Sequence, residues 1–504
     1  MKKTLAIAFI LIAGITKLSA QSENYKLNWD ELSQKYNYNA EPDWMKDAKF
    51  GIYFHWGVYS VPAFSYEWYP RHMFMPSRKE YKFHKEKYGD PREFGYDKLV
   101  PLFKAEKFDA VDLVETFQRA GAKFAGHVAI HHDGFAMWDS KITPWNAMLM
   151  GPKRDILGEM SAEIKKRNMK LVTTFHHERS LQLYRDNKNQ DPGFWDMYNS
   201  HFPWIEGMPT TSDNPMLRLL YGNVTPEEFY DPIWFGELKE VIDNYSPDLI
   251  YFDSWLENIP EKYLYKYVEY YISEGKKKGK QVVTSRKQKD LPLNVSIEDL
   301  EKSRKQVIEP HMWLTDETIT TDSWSYTDDM VLKTAPTIIN VLIDVVSKNG
   351  VLMLNVSPRA DGVLPIEQKE ILYKIGDWLD INGEAIYGTR PWYIFGEGPT
   401  TQPEGDFENH KKFLEVKYSW KDVRYTQKAN AIYATLLGTP QNGTNITFKS
   451  FAKASMPKNI SVKNVSVFGS NEKISWQQNS DGLRVTVPRM SNSNETAMVF
   501  KVEY

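Results

Sequence analysis

The sequence predicts an α/β protein: a (β/α)8-like TIM barrel followed by a C-terminal all-β sandwich. Three observations carry this. Short apolar runs alternate with longer amphipathic stretches up to about residue 390, the pattern of parallel strands covered on both faces. Polar and aromatic residues follow several of those runs: His55-Trp56-Gly57, His131-His132-Asp133, His176-His177-Glu178, Asp253-Ser254-Trp255 and Arg286. In a closed barrel such positions converge on the C-terminal mouth. A doubly wound open sheet would carry a Gly-rich phosphate loop after its first strand, and none is present. Beyond residue 390, short alternating runs are separated by turn residues such as Gln441-Asn442-Gly443-Thr444.

The elements follow in order. Residues 1–20 read as a secretory signal peptide, with basic Lys2 and Lys3, an apolar stretch from Leu5 to Ile15 and small Ser19-Ala20 at the cleavage site. That stretch is too short for a membrane span. The mature chain is therefore expected to start near Gln21 and to be secreted or periplasmic, as in a Gram-negative bacterium. Strands are expected over 50–54, 124–130, 171–175, 249–252, 281–284 and 351–356. Helices are expected over 109–122, 156–167, 232–244, 334–347 and 365–382; the first carries Val111, Val114 and Phe117 at helical spacing. The barrel is assigned to 21–390 and the sandwich to 391–504, with strands over 413–418, 431–437, 460–468 and 483–487.

Bulk properties narrow the chemistry. At 504 residues the chain can bury a large core and a smaller one. A net charge of -3 gives no reason to expect a nucleic-acid partner. With no cysteine, disulfides, thiolate catalysis and Cys-ligated metals are excluded. Sixteen Trp and 29 Tyr suit a site that stacks on apolar ring faces, and suit a large core equally.

Asp253 ends the apolar run Leu249-Ile250-Tyr251-Phe252, so it is either a carboxylate at the barrel mouth or a helix N-cap. The aromatics Tyr251 and Trp255 favour a sugar-sized pocket. The histidines raise the question of a metal, as in metal-dependent hydrolases. Neighbouring residues on a strand point to opposite faces, so His131 and His132 cannot both reach one ion without a break in the strand. No HxH or HExxH spacing occurs, and no metal or other cofactor is expected. Neutral imidazoles donate and accept hydrogen bonds, which suits sugar hydroxyls. At least one of His176 and His177 is expected to tie down a loop.

The stretches FGIYFHWGVYSVPAF, EWYP, AIHHDGFAMWDS, GPKRDILGEM, SPDLIYFDSW and VLMLNVSPRADGVLP, in this order from about Lys49 to Arg390, resemble glycoside hydrolase family 29, the retaining α-L-fucosidases. The resemblance implies a catalytic barrel that removes terminal α-L-fucose from an oligosaccharide or glycoprotein glycan by double displacement. It places Asp253 as the nucleophile, and His55, Glu67, Trp68, His131 and His132 in the fucose pocket. Tyr251 stands where the family has a pocket Trp, His176 where it has a sugar-contacting aromatic, and Arg286 matches a pocket arginine. Trp68 and Tyr251 would face the 6-methyl group of the sugar.

The chain departs from the family at the acid/base. Leu314 follows Trp313 where many members carry Glu, and leucine cannot transfer a proton. The resemblance then points to the acidic segment upstream, first to Glu301 and next to Glu298, with Glu317 a further candidate. The charged start of a solvated helix would look the same. Two other readings stay open: a non-catalytic fucose- or carbohydrate-binding protein on this fold, and a metal-dependent hydrolase using the mouth histidines.

Overall fold

The computed structural model describes residues 25–182, 201–253, 256–403, 410–457, 460–490 and 496–504. The leader read over 1–20 and the pocket aromatic Trp255 lie outside the described residues. Eight parallel strands close a barrel in sequence order: β1 (Phe50–Phe54), β2 (Phe124–Ile130), β3 (Lys170–Phe175), β4 (Leu249–Phe252), β5 (Val283–Arg286), β6 (Ile297–Asp299), β7 (Trp313–Thr318) and β8 (Gly350–Val356). β8 closes the ring on β1, with Phe50 opposite Leu352 and Phe54 opposite Val356. At the bottom of the barrel the interior is tight enough to require Gly51, where a Cβ would lie 2.0 Å from the Phe124 ring.

The outer helices start where capping chemistry says they should. Asp109 accepts from Val111 N at the head of Ala110–Arg119, Asp155 from Gly158 N at Ile156–Lys166, and Thr334 from Thr337 N at Ala335–Ser347. Each such cap stabilises its helix by about 1 kcal/mol. The stretch expected as one helix over 232–244 divides into a π-helical segment, Phe229–Phe235, and the α-helix Gly236–Tyr245. Pro232 lies inside the first segment and cannot donate to a regular ladder. No helix of the described residues is long and apolar enough to cross a membrane.

The C-terminal region forms two antiparallel sheets. One has the order β13-β16-β11-β10-β9 and the other β12-β15-β14. Their ranges are β9 Arg390–Glu397, β10 Val423–Lys428, β11 Ala431–Leu436, β12 Asn445–Phe448, β13 Asn464–Val467, β14 Trp476–Gln478, β15 Leu483–Thr486 and β16 Met498–Glu503. Tyr425, Ile432 and Phe500 of the larger sheet share one core with Phe448, Leu483 and Val485 of the smaller, which makes a sandwich. The strand expected over 413–418 is instead a short helix, His410–Glu415. Over six residues, apolar periods of 2 and 3.6 are hard to tell apart.

The sandwich is pinned to the barrel by buried charge. Asp344, on the helix Ala335–Ser347, receives Lys348 Nζ at 2.9 Å, Arg424 Nε at 2.5 Å and Gln402 Nε2 at 2.7 Å. Trp378 adds a bond from its indole nitrogen to Ala497 O.

Candidate active site

Strand alternation builds the site. Counting in twos along β4, the inward residues are Leu249 and Tyr251, and the next inward position is Asp253. The same count gives Val283, Ser285 and Lys287 on β5, Ile297, Asp299 and Glu301 on β6, and Leu314 and Asp316 on β7. On the other side it gives Tyr53 and His55 on β1, Thr174 and His176 on β3, and Met353 and Asn355 on β8. An apolar layer at the bottom is thus followed by a polar layer and then by the mouth.

One ammonium organises the charges. Lys287 Nζ lies 2.6 Å from Asp253 Oδ1 and 2.7 Å from Glu301 Oε2. Its side chain is 6% exposed, against 18% for Asp253 and 17% for Glu301. Burial alone would raise the Asp253 pKa, but the Lys287 charge foremost, with the rings of His132 and His176 set against the carboxyl, holds it well below the ordinary aspartate range. His132 Nε2 and His176 Nδ1 stand 3.3 and 3.4 Å from Asp253 Oδ2. Glu301 behaves in the opposite way. Burial pushes it up to about 7, Lys287 opposes this, and the charges of Asp316 and Asp253 add to the rise. Two neighbouring carboxyl groups are therefore driven far apart in acidity.

Beneath them lies a second acidic layer. Asp316 Oδ2 accepts from Tyr251 OH at 2.8 Å and from Tyr53 OH at 3.2 Å, and Asp316 N donates to Asp299 Oδ1. Burial, with the charge of Asp316 beside it, raises Asp299 well above the usual carboxylate range.

The histidines form a continuous wall. His131 lies with its ring 4.6 Å from His132, 4.8 Å from His176 and 5.6 Å from His55. Burial foremost keeps His55, His131 and His132 neutral, His132 with a pKa of about 4. His55 is oriented by Asn355, whose Oδ1 meets both its backbone nitrogen and Nδ1. Glu67 is buried and accepts from Trp324 N at 3.1 Å. Trp68 packs 5.4 Å from His132, and Trp324 5.3 Å from His55, giving the pocket two apolar faces. The long connection after β1 reaches this rim: Tyr96 donates to Asp133, and Arg71 Nη1 donates to His201 O.

The structure brings Asp253, Glu301, His55, Glu67, Trp68, His131, His132 and His176 together. It places the others elsewhere, for reasons of alternation. Arg286 has the outward parity of β5; its Nη1 meets Leu291 O and Tyr25 OH, and Lys287 supplies the pocket cation instead. Glu298 is the outward residue of β6 and pairs with Lys305 at 2.6 Å. Glu317 is outward on β7 and pairs with Lys333 at 2.6 Å. Tyr251 is in the floor rather than the wall, one layer below Asp253. Leu314 is a packing residue of the same interior, and His177 ties down its loop through Trp234 O. Asp253 gives both oxygens to side chains, unlike a helix cap.

Sequence reasoning missed Lys287, Asp299, Asp316, Trp324 and Asn355. Continuing the count of two from Val283 and Ile297 would have found the first two. Among the described residues two triples come within metal-ligating reach, His55/His131/His176 and His132/His176/Asp253, and neither holds both His131 and His132. A dication at the second would face the Lys287 ammonium across the same carboxylate.

A sequence profile of the family described as "Alpha-L-fucosidase" matches residues 12–384, and one described as "Alpha-L-fucosidase C-terminal domain" matches 418–503. The tissue alpha-L-fucosidase of Rattus norvegicus is 30% identical over 498 residues, covering 96% of this chain and 93% of its own. Among solved structures, Thermotoga maritima alpha-fucosidase in complex with fucose superposes with a TM-score of 0.72 at 26% identity, covering 95% of this chain and 100% of that one. The same enzyme in complex with a mechanism based inhibitor gives 0.73 at 26% identity over the same shares. With a matching barrel and C-terminal sandwich, the chain belongs to the α-L-fucosidases of glycoside hydrolase family 29.

Proposed function

We propose that this protein is a retaining exo-α-L-fucosidase that hydrolyses terminal α-L-fucose on oligosaccharides or glycoprotein glycans by double displacement, outside the cytoplasm and without a cofactor. One observation carries the mechanism: Asp253 and Glu301 meet on one ammonium yet are held at opposite acidities. Their nearest oxygens can be no farther apart than those two contacts laid end to end. That agrees with the roughly 5–5.5 Å carboxyl separation of retaining glycosidases and falls short of the roughly 6.5–9.5 Å of inverting ones. Asp253, ionised, attacks the anomeric carbon. Glu301, still protonated near neutrality, gives its proton to the leaving oxygen and later takes one from water. The neutral imidazoles and Glu67 read hydroxyls, while Trp68 and Trp324 offer apolar faces to the ring and its methyl group. The mechanism-based inhibitor bound to the Thermotoga relative agrees with a covalent route in the family.

The test is hydrolysis of an aryl α-L-fucoside by wild type, Asp253→Ala and Glu301→Ala, with and without azide. Retention requires that Glu301→Ala with azide yields α-fucosyl azide and that Asp253→Ala with azide yields the β anomer. A wild type that binds fucose and releases nothing would instead make this a binding protein.

A further inference from the structure

Lys287 stands in the way of the reaction just described. Its ammonium fills the gap between Asp253 and Glu301, and a glycosidic bond cannot lie there while Nζ is 2.6 and 2.7 Å from the two carboxyls. The surroundings offer it a second seat. Asp316 Oδ2 and Asp299 Oδ2 lie only 3.7 and 3.9 Å from the same nitrogen, one layer deeper in the barrel. Among the described residues Lys287 is the one cation within ion-pair distance of either aspartate. Asp316 Oδ1, the other oxygen of that carboxyl, is buried and has no hydrogen-bond partner, so the deeper layer has a vacant acceptor. A buried acceptor left unmade is costly, and a lysine on four methylenes is long enough to satisfy it.

We infer that Lys287 is a two-position counter-ion: it ties Asp253 to Glu301 in the empty pocket and withdraws onto Asp299 and Asp316 when a glycosidic bond enters between the two carboxyls. The inference rests on the fucosidase reading and makes Lys287 a positioning residue. The groups facing Nζ are Asp253 and Tyr251 from β4, Asp299 and Glu301 from β6 and Asp316 from β7, with Tyr53 and His55 of β1 beside them. Withdrawal takes the positive charge off Glu301, which favours its neutral form, so the arriving substrate itself arms the acid. Asp253 keeps the contacts of His132 and His176 and remains an anion. The ammonium moves from in front of the carboxyls to below them, close enough to act on charge and too deep to block the sugar.

The test combines kinetics and a structure. kcat/KM and pH profiles on an aryl α-L-fucoside are measured for wild type, Lys287→Met, Asp316→Asn and the double variant, with thermal melts to show that each folds. Asp316→Asn removes the rear seat and is expected to raise KM about tenfold, a 1.4 kcal/mol change; the double variant is expected to be no worse than Lys287→Met alone. Lys287→Met is expected to move both limbs of the pH profile upward, because both carboxyls lose a stabilising cation. Should Asp316→Asn fail to fold, Asp299→Asn takes its place in the cycle. In a crystal structure with fucose bound, Nζ is expected on Asp316 and Asp299 and out of contact with Glu301. Additive effects, unmoved pH limbs or an ammonium still between the carboxyls would overturn the inference while leaving the fucosidase reading intact. A wild type without activity on any α-L-fucoside would remove both.

Discussion

Tyr251 hands its hydroxyl to Asp316 at 2.8 Å directly beneath the position of Asp253. The floor of the pocket is therefore a hydrogen-bonded polar layer, and Tyr251→Phe takes a donor from a buried carboxyl. Loss of a hydrogen bond to a charged group costs about 1.5–3 kcal/mol. Urea unfolding should show that loss as a lower midpoint with an unchanged slope.

The pH dependence follows from Glu301. As the acid it must be protonated, and its pKa lies at about 7, so kcat/KM for a natural glycan should fall as pH rises through about 7. Asp253 sets no limit until far lower pH, because its carboxyl is held well below the ordinary range. A dinitrophenyl fucoside, whose leaving group needs no proton, should lose the basic limb. If that limb persists with the dinitrophenyl substrate, another group is responsible.

Removing either carboxyl should separate the two roles by size. Glu301→Gln is expected to lower kcat/KM by about 10²–10⁴-fold on poor leaving groups and much less on activated ones. Asp253→Asn should cost about 10⁴-fold or more whatever the leaving group. Equal losses on every substrate would argue against Glu301 as the acid.

Glu298 provides the control. It faces away from the pocket, with a third of its side chain exposed, and its pair with Lys305 is of the kind worth at most about 1 kcal/mol. Glu298→Gln should leave kcat/KM within about twofold by that estimate, and a loss of several hundredfold would put it back in the site.

The joint between barrel and sandwich can be tested separately. Asp344→Asn leaves Lys348 and Arg424 without their shared carboxylate, a change expected to cost about 3–5 kcal/mol. Burial opposes ionisation of Asp344, but Lys348, Arg424 and Arg304 together hold its pKa below the ordinary value. Its contribution is therefore present above the usual aspartate range and lost as pH falls through the folded-state value. The stability gap between wild type and Asp344→Asn should narrow in acid, as calorimetry at several pH values can show.

The parts of this molecule legible in the sequence are those where both faces of a strand are apolar. β1, β2, β3, β4 and β8 are nearly continuous hydrophobic runs, and their expected bounds lie within a residue of those observed. β6 and β7 escaped notice because the barrel interior is polar there: Asp299 and Asp316 interrupt the pattern that marks a buried strand. The same polarity hides Lys287, which lies one residue beyond β5, where the apolar run has already given out. His132 shows the reverse case. β2 ends at Ile130 and its ladder with β3 shifts register between Val128 and Ile130, so His131 and His132 lie beyond the regular alternation and both reach the pocket wall. Trp324 comes from a segment outside the barrel strands, where no local spacing announces it, whereas Asn355 follows Val351 and Met353 in the count of two along β8.

Arg286 and Lys287 are adjacent cations on opposite faces of one short strand. Sliding that strand by a single residue would exchange their faces, so a positive charge would still be delivered to the pocket. What would change is its kind: a planar guanidinium grips two carboxylates at once and cannot shrink back through a narrow gap as an ammonium can. A one-codon insertion or deletion in the connection before β5 could therefore convert a retractable charge into a rigid one with no substitution in the pocket. In this barrel the number of residues between strands is a chemical variable, equal in weight to their identity.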